Sequence, residues 1–307
     1  MRIEYVRDGL VEEFHEGLFM LSTEPYDTIP YYLRSCAKPL QATLLIDYGI
    51  DLTEEELALC CGSHAGEECH IRVAKQILEK FEIDEKYLKC GVHLPLARSM
   101  QDKMLLRGEK ARAIHNNCSG KHIGFLVICK TKGWDMETYD RPEHPLQIAI
   151  KNKINTLTSL PCPTGEGSKD GATQPYPVTT DGCGVPILSM PLKNMLIGYK
   201  NLLQYEKIIN AIQKYPYIFG GENRLDTEII EKTHGLIAKV GAGGLCIVFN
   251  VKEQIGFVVK INDCSMEARR FAVLEMINRL GWGNIEFDKT IKTLHGQVVG
   301  EIIVHYN

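Results

Sequence analysis

A serine and a lysine spaced for shared chemistry lie in the segment Arg34-Ser35-Cys36-Ala37-Lys38-Pro39. If a helix begins near Ser35, residues three apart lie on one face, so the amine of Lys38 can reach the Ser35 hydroxyl. A hydroxyl becomes a strong nucleophile only when a base takes its proton, and a desolvated lysine can be that base. Taken alone, the tetrapeptide is common, and a helix-capping serine beside a solvated lysine explains it better. Pro39 would have to lie in the first helical turn.

A second serine lies in a loop of small residues, from Cys61 to Glu67, that follows an apolar helix. Gly62 and Gly66 allow the backbone to approach other groups closely, while Ser63 and His64 offer polar side chains. A capped turn that carries a surface histidine is an equally good interpretation of this loop.

The densest polar cluster of the chain runs from His115 to His122 and precedes a long apolar helix. Such a junction presents backbone N–H groups and the positive end of the helix dipole. Cys118 and Lys121 lie in this cluster, and Cys183 lies in a turn flanked by glycines. Two thiolates are soft ligands of the kind that zinc prefers. Spacing alone supplies too few standard ligands to predict zinc, since lysine must first lose a proton, and a reactive thiol or packed cysteines remain open alternatives.

Lys239-Val240-Gly241 opens a predicted hairpin near the end of the chain. A Lys-x-Gly on an edge strand is similar to the Lys-Thr-Gly element of β-lactamase-like enzymes, and Ser-x-x-Lys is the arrangement of penicillin-recognising serine enzymes. A glycine-rich strand entry with a solvated lysine explains the tripeptide as well. The order of Ser-x-x-Lys, an internal serine and Lys-x-Gly carries more weight than any one motif.

The helices that must position these groups are predicted in the middle of the chain. Thr53 with Glu56 forms a capping box, and apolar residues from Ile71 to Phe81 follow helical spacing. Another apolar helix is predicted over residues 123–129. Residues 161–180 are rich in proline and glycine and predict an exposed loop.

The strands are predicted at the two ends of the chain, over residues 17–21, 244–250, 254–262 and 296–306. The second and third of these read as a hairpin. We therefore expect an α+β fold, with an antiparallel sheet built from both chain ends and a helical middle.

Composition narrows the function class. The 307 residues are 44% hydrophobic and 24% charged, with a net charge of −4, so the chain lacks the basic character typical of nucleic-acid binding. We expect no nucleic-acid partner. No apolar stretch reaches membrane-spanning length and the first residues do not read as a signal peptide, so we expect a cytoplasmic protein that does not bind membranes. Most of the eleven cysteines should then be buried thiols, as the apolar settings of Cys60, Cys61, Cys129 and Cys246 indicate.

Six segments together resemble one family, the rhizobial-type asparaginase II family. They appear in family order from Arg34 to Lys239 and read LRSCAKPLQ, ELALCCGSHAGEECH, NNCSGKHIGFL, HPLQ, DGCGVPILSMPL and AKVGAGG. The resemblance implies a serine β-lactamase-like fold in a single catalytic domain over residues 1–307. It also implies an amidohydrolase, an L-asparaginase that converts L-asparagine to L-aspartate and ammonia through a serine acyl-enzyme, and a homodimer.

The resemblance also assigns roles to individual residues. Ser35 and Lys38 form one nucleophile–base pair, with Ser35 expected to be acylated and Ser63 assisting proton transfer. Lys239 feeds the same hydrogen-bond network. A zinc ion is implied at Cys118, Lys121 and Cys183. Asp181 bridges this metal site and the substrate ammonium, while Arg34 and His122 orient the substrate carboxylate.

The chain departs from the family pattern in two places: Gly243 stands where an acidic residue is usual, and the segment between His15 and Arg34 is short and lacks a Gly-Asp turn. Two alternatives remain. One is a related amidase or glutaminase on the same fold. The other is a catalytically inactive zinc- or redox-sensing protein that uses Cys118 and Cys183. The joint presence of Ser35, Lys38, Ser63 and Lys239 argues against a sensor, which would not need them.

Overall fold

The computed structural model describes residues 1–25, 27–159 and 177–306. Within these ranges the strands are β1 (Arg2–Arg7), β2 (Leu10–Leu21), β3 (Pro30–Tyr32), β4 (Val178–Thr180), β5 (Pro186–Pro191), β6 (Leu236–Gly241), β7 (Leu245–Asn250), β8 (Ile255–Ile261), β9 (Thr290–Lys292) and β10 (Val298–His305). The α-helices are α1 (Lys38–Asp47), α2 (Glu54–Cys61), α3 (Glu68–Lys80), α4 (Arg98–Leu106), α5 (Ser119–Lys132), α6 (Pro145–Thr158), α7 (Leu192–Leu202), α8 (Glu206–Lys214), α9 (Pro216–Phe219), α10 (Leu225–Lys232) and α11 (Met266–Arg279). Short 3₁₀ turns cover Arg34–Ala37, Glu85–Tyr87 and Ala113–His115.

Both ends of the chain meet in one antiparallel sheet of seven strands, in the order β6-β7-β8-β2-β1-β10-β9. The first strand pairs with the last, so that Ile3 lies opposite Val304, and β2 joins this pair to the hairpin of β7 and β8. The predicted α+β class, the hairpin and the sheet built from both chain ends are confirmed. The serine β-lactamase-like fold and the single domain over residues 1–307 stay predictions.

The strand that carries Lys239 forms one edge of this sheet, as predicted for the Lys-x-Gly motif. Every residue of β6 and β7 is buried, because helices cover both faces of this hairpin. Gly243 and Gly244 in the connecting turn have φ of +74° and +73°, a left-handed conformation that favours glycine. The departure from the family pattern at Gly243 thus lies where the backbone suits a glycine.

A second, three-stranded sheet was not predicted from the sequence. Its central strand β5 is fully buried and pairs with β3 on one side and β4 on the other. Of the loop predicted over 161–180, residues 161–176 lie outside the described residues, and Val178–Thr180 form the exposed strand β4. This sheet brings the chain that leads into Arg34 beside the chain that follows Asp181.

The predicted helices are present, with different starting points. Helix α1 begins at Lys38 after a 3₁₀ turn, so Pro39 lies in its first turn as required. The capping box is confirmed, since Thr53 accepts from the Glu56 N–H at 3.2 Å and the Glu56 carboxylate accepts from the Thr53 N–H at 2.8 Å. Helix α5 begins at Ser119, four residues before the predicted start. Its first turn therefore carries the second half of the polar cluster, from Ser119 to His122.

Helices α2 and α5 approach each other closely at Gly120. A β-carbon at this position would overlap the backbone carbonyl oxygen of Leu59. This contact holds the start of α5 against the end of α2, where the Ser63 loop begins. Within the described ranges, no helix is both long and apolar enough to cross a membrane.

We predict that Gly120→Ala destabilises the protein by about 1–3 kcal/mol, because the added methyl group meets backbone that cannot rotate away. Urea unfolding measures the change in the free energy of unfolding. Gly124→Ala is the matched control on the same helix, since its β-carbon would meet only side-chain atoms, the nearest being Cys60 Sγ at 3.3 Å. Equal stability of the two variants would contradict the close helix contact.

Candidate active site

The Lys38 ammonium joins three separate segments of the chain. Its Nζ donates a hydrogen bond to Ser63 Oγ at 2.8 Å and another to the backbone oxygen of Asn117 at 3.1 Å. Only 1% of Lys38 is exposed, and Ser63 is equally buried at 1%. The start of α1, the loop after α2 and the start of α5 are therefore held together by one lysine.

Ser35 lies in the 3₁₀ turn before α1, half-buried, and its backbone oxygen accepts a hydrogen bond from the Lys38 N–H. No hydrogen bond to the Ser35 hydroxyl occurs among residues 1–25, 27–159 and 177–306. The sequence predicted a Ser35–Lys38 pair, but the structure instead bonds the Lys38 amine to Ser63. The reason is geometric: the lysine extends away from its own turn and crosses to the neighbouring loop. The assignment of Ser35 as the acylated serine stays a prediction.

The pKa of Lys38 is lowered to about 8. Burial is the largest cause, the positive charges of Lys121 and Lys239 act in the same direction, and Cys118 acts in the opposite one. A lysine in such a setting gives up its proton far more readily than a solvated one. Lys38 therefore has the position and the environment of a general base.

Arg34 and Asp181, both predicted to bind substrate, are paired with each other. Arg34 Nε donates to Asp181 Oδ1 at 2.7 Å, and the arginine has φ of +47° although it carries a side chain. Backbone of this kind costs free energy and is often found at functional sites. Burial alone would raise the pKa of Asp181, but the charges of Lys121 and Arg34 hold it below its ordinary value. Asp181 is thus an ionised carboxylate between two cations.

Two buried thiols and an amine converge beside this pair. Lys121 Nζ donates to Cys183 Sγ at 2.8 Å, and Cys118 is the residue that precedes α5. A hydrogen bond from the Cys183 thiol holds the pKa of Cys118 well below its ordinary value, with help from Lys38 and Lys121. The same bond raises the pKa of Cys183. Cys118 is therefore the thiol of this pair that loses its proton more readily.

The donor set that the sequence predicts for a metal is two cysteines and a lysine. In the described part of the chain, no group of three or more His, Cys, Asp or Glu residues could hold a metal ion. The predicted ligand set is not a group of this kind, because its third residue, beside the two cysteines, is Lys121. Two buried soft sulfurs with a nitrogen beside them match the donor types that zinc takes in proteins. The chemistry of the side chains therefore fits zinc.

His64, read from the sequence as a polar loop residue or a surface histidine, is fully buried. The Ser119 hydroxyl donates to the Ile114 backbone oxygen at 2.9 Å, so His64 Nε2 must donate to Ser119 Oγ at 2.8 Å. The Gly66 N–H donates to His64 Nδ1 at 3.1 Å, which fixes the neutral tautomer. Burial and the nearby His70 hold the pKa of His64 well below its ordinary value. His64 thus ties the Ser63 loop to α5 and has no free nitrogen lone pair with which to act as a base.

His122, predicted to orient the substrate carboxylate, lies in the core. Its side chain is fully buried, with Nδ1 2.7 Å from the Tyr139 hydroxyl. The Lys89 N–H donates to the Tyr139 oxygen at 2.9 Å, so the tyrosine hydroxyl donates to the imidazole. Substrate contact by His122 stays a prediction, and the observed contacts give it a packing role.

Lys239 reaches an acidic partner that the sequence did not reveal. Its Nζ lies 3.0 Å from Asp226 Oδ2 and donates to the Val240 backbone oxygen at 2.9 Å, and both charged side chains are fully buried. Burial alone would raise the pKa of Asp226, but the Lys239 ammonium and Arg224 hold it below its ordinary value. No motif marks Asp226, because an acid near a helix start usually faces solvent. The pair fixes a positive charge near Lys38, whose pKa it lowers.

We predict that Asp226→Asn lowers the free energy of unfolding by about 3 kcal/mol at neutral pH, because it leaves the buried Lys239 ammonium unpaired. The folded-state pKa of Asp226 is depressed, so its stabilisation is present above the ordinary carboxyl pKa and is lost as the pH falls through the folded-state value. Urea unfolding over a pH series should therefore show that the two proteins differ less in their free energy of unfolding as the pH falls. The double variant Asp226→Asn/Lys239→Met should recover part of the lost free energy of unfolding. If wild type and Asp226→Asn differ in this free energy by the same amount at every pH, the ion pair is contradicted.

Comparison with protein families gives a match over almost the whole chain. The model of the family described as L-asparaginase II matches residues 3–304. No curated protein matches the chain. The chain belongs to the L-asparaginase II family, which confirms the resemblance seen in the six sequence segments. Membership implies an L-asparaginase, a hydrolase that acts on a linear amide.

Proposed function

We propose that this member of the L-asparaginase II family hydrolyses the side-chain amide of L-asparagine to aspartate and ammonia through a serine acyl-enzyme. The family match supports the amidohydrolase activity. The observation that carries the mechanism is the 2.8 Å hydrogen bond between Lys38 Nζ and Ser63 Oγ, one helical turn from Ser35. A serine bonded to a buried amine, on the helix that follows a second serine, supplies a nucleophile and a route for its proton.

Ser35 is the proposed nucleophile and Ser63 the proposed relay. Ser35 is half-buried and its hydroxyl has no other hydrogen bond among the described residues, whereas Ser63 is 1% exposed and already bonded to Lys38. A small substrate reaches the more accessible hydroxyl first. The proton of Ser35 then passes to Ser63 Oγ, while the proton of Ser63 passes to Lys38.

The covalent steps follow from this order. Ser35 Oγ forms an ester bond with the amide carbon, and the C–N bond breaks. The proton held by Lys38 returns through Ser63 to the leaving nitrogen, which departs as ammonia. A water molecule then cleaves the ester by the reverse proton route, which releases aspartate and restores the serine. Backbone N–H groups stabilise the oxyanion in both steps.

Lys239 provides a fixed charge in this mechanism and does not exchange protons with the substrate. Its partner Asp226 is buried and ionised, so the ammonium has a permanent counter-ion. The Lys239 charge lowers the pKa of Lys38. Lys38, whose pKa is lowered, is therefore the amine proposed to accept the proton.

Arg34 and Asp181 are the proposed ligands of the substrate's charged groups. Asparagine carries one ammonium and one carboxylate, and the structure has one carboxylate and one guanidinium in contact at 2.7 Å. When substrate binds, Asp181 accepts from the ammonium and Arg34 donates to the carboxylate. His122, whose imidazole is buried against the Tyr139 hydroxyl, stays a predicted ligand of the substrate carboxylate.

Zinc is the proposed metal, held by Cys118, Lys121 and Cys183. When bound, it supplies a Lewis-acidic positive centre beside Asp181, and it is not needed to make a nucleophile because serines are present.

The homodimer and the serine β-lactamase-like fold are proposed on the family resemblance. A glutaminase or related amidase is the second candidate, because the same residues would accept an amide one methylene longer.

The acyl-enzyme is tested by ammonia release from L-asparagine and L-glutamine, together with acid quenching and peptide mass analysis. We expect release from asparagine, and we expect Ser35→Ala and Ser63→Ala each to lower kcat by about a thousandfold or more. The trapped aspartyl ester should lie on Ser35. Ser99→Ala, which changes an exposed serine in α4, should keep wild-type turnover.

Three outcomes would overturn parts of this proposal. Wild-type turnover by Ser35→Ala would remove it as the nucleophile, and an ester on Ser63 would exchange the two serine roles. Release from glutamine but not from asparagine would move the substrate to the second candidate. No release from either amide, in protein that carries zinc, would favour the sensor alternative.

Zinc is tested by metal analysis of the purified protein. We expect a stoichiometric amount in the wild type and a loss of about tenfold or more in affinity for Cys118→Ser and Cys183→Ser, because each removes a soft ligand. Cys264→Ser is the control, since this cysteine is exposed and lies on the chain after β8. Full zinc binding by Cys118→Ser would rule out the proposed ligand set.

A further inference from the structure

The turn that carries Ser35 is strained at the residue before the serine. Arg34 has φ of +47°, a conformation that costs free energy for a residue with a side chain. Such backbone persists only where the surrounding structure holds it from several sides. The Arg34 side chain is held by Asp181 at 2.7 Å. On the other side of the serine, the contacts are made by Cys36.

The thiol of Cys36 joins this turn to strand β6. The residue is fully buried, and its Sγ donates a hydrogen bond to the backbone oxygen of Lys239 at 3.1 Å. Burial raises the pKa of the thiol above its ordinary value, so the thiol stays protonated and remains a donor. The bond therefore fixes the turn of Ser35 against the strand whose lysine lowers the pKa of Lys38.

Tyr199, on helix α7, holds the same residue from another side. Its hydroxyl donates to the Cys36 backbone oxygen at 2.9 Å, and only 1% of the tyrosine is exposed. Burial raises the pKa of this hydroxyl well above its ordinary value, so it also stays a donor. Cys36 is thus bonded to β6 through its side chain and to α7 through its backbone.

The turn and β6 also pack closely at Gly241. A β-carbon at this position would lie 3.2 Å from Cys36 Sγ and 3.3 Å from Leu245 Cβ, closer than most such contacts in proteins. Glycine therefore lets the thiol lie against the strand, while a larger residue would push the turn away. Packing sets how near the turn comes to β6, and the two hydrogen bonds keep it there.

We infer that Cys36 and Tyr199 are positioning residues for Ser35, the proposed nucleophile. Neither is proposed to touch substrate. Together they fix the backbone that carries the serine hydroxyl, and a nucleophile held in one direction reacts faster than one that is free to turn. The effect on turnover rests on the proposed function, whereas the effect on the reactivity of the Ser35 hydroxyl does not.

Kinetics of Tyr199→Phe test the role, because phenylalanine keeps the ring and removes only the donor. We expect kcat for asparagine to fall about tenfold with KM unchanged, the size of one orienting hydrogen bond. Tyr306→Phe is the matched control, since the Tyr306 hydroxyl also donates to a backbone oxygen, that of Ala272 in α11. It should lose a similar free energy of unfolding in urea and keep wild-type kcat.

The thiol is tested by Cys36→Ser and Cys36→Ala. The two replacements leave nearly the same space, and of the two only serine keeps a donor for the Lys239 oxygen. We expect kcat of Cys36→Ser to exceed that of Cys36→Ala by about threefold or more. Equal kcat in the two variants would refute the role of the thiol. If Tyr199→Phe does not fold, this pair decides the inference.

Labelling by phenylmethanesulfonyl fluoride measures the reactivity of Ser35 without turnover. The serine oxygen bonds to sulfur and fluoride leaves, and peptide mass analysis locates the sulfonyl group. We expect the label on Ser35, at a rate about tenfold lower in Tyr199→Phe than in wild type or Tyr306→Phe.

The outcomes separate this inference from the proposed function. Wild-type kcat and labelling rate in Tyr199→Phe, or an equal fall in Tyr306→Phe, would refute the positioning role. A label on Ser63 in place of Ser35 would overturn it together with the assignment of the nucleophile. Slower labelling of Tyr199→Phe, in a protein that hydrolyses neither amide, would refute the proposed function and leave the positioning role standing.

Discussion

The burial of Lys38 is the constraint on which the arrangement of the site depends. A charged amine loses its hydration when it is buried, so every contact around it must replace part of that loss. Ser63 and the Asn117 backbone supply two of these contacts, from two different segments. The close approach of α5 to α2 at Gly120 brings those segments within reach. The packing of α5 against α2 therefore determines whether Lys38 finds its hydrogen-bond partners.

Charge is balanced locally throughout the interior of the site. Lys239 has Asp226, Arg34 has Asp181, and Lys121 has the Cys183 sulfur. Lys38 differs, because Ser63 and the Asn117 oxygen are neutral and the Cys118 sulfur beside it offsets only part of the effect of burial. Among the described lysines it is consequently the one whose pKa burial lowers to about 8. The groups around each lysine, rather than the lysines themselves, therefore distinguish the proposed base Lys38 from Lys121 and Lys239.

Periodicity and motif order predicted much of this molecule, and particular residues show where they stopped. The terminal strands, the capping box at Thr53 and the edge position of Lys239 follow from local patterns. The three-stranded sheet was missed because β3 and β4 span three residues each, too few to show alternation. Asp226 and the bonding of Lys38 to Ser63 were missed because each depends on residues distant in sequence. The direction in which a side chain reaches across a tertiary contact leaves no pattern in the neighbouring sequence.

At position 34 the backbone conformation and the side-chain contact favour different residues. The φ of +47° favours glycine or asparagine, whereas the contact with Asp181 uses a guanidinium at this position. Selection for thermostability alone would drive the position towards glycine, since relief of left-handed strain is among the simplest stabilising changes. Selection for turnover would restore the arginine. The residue next to Ser35 is therefore a point where evolutionary pressures on stability and on activity conflict, and ancestral or engineered variants should record that conflict as alternation between these two residues.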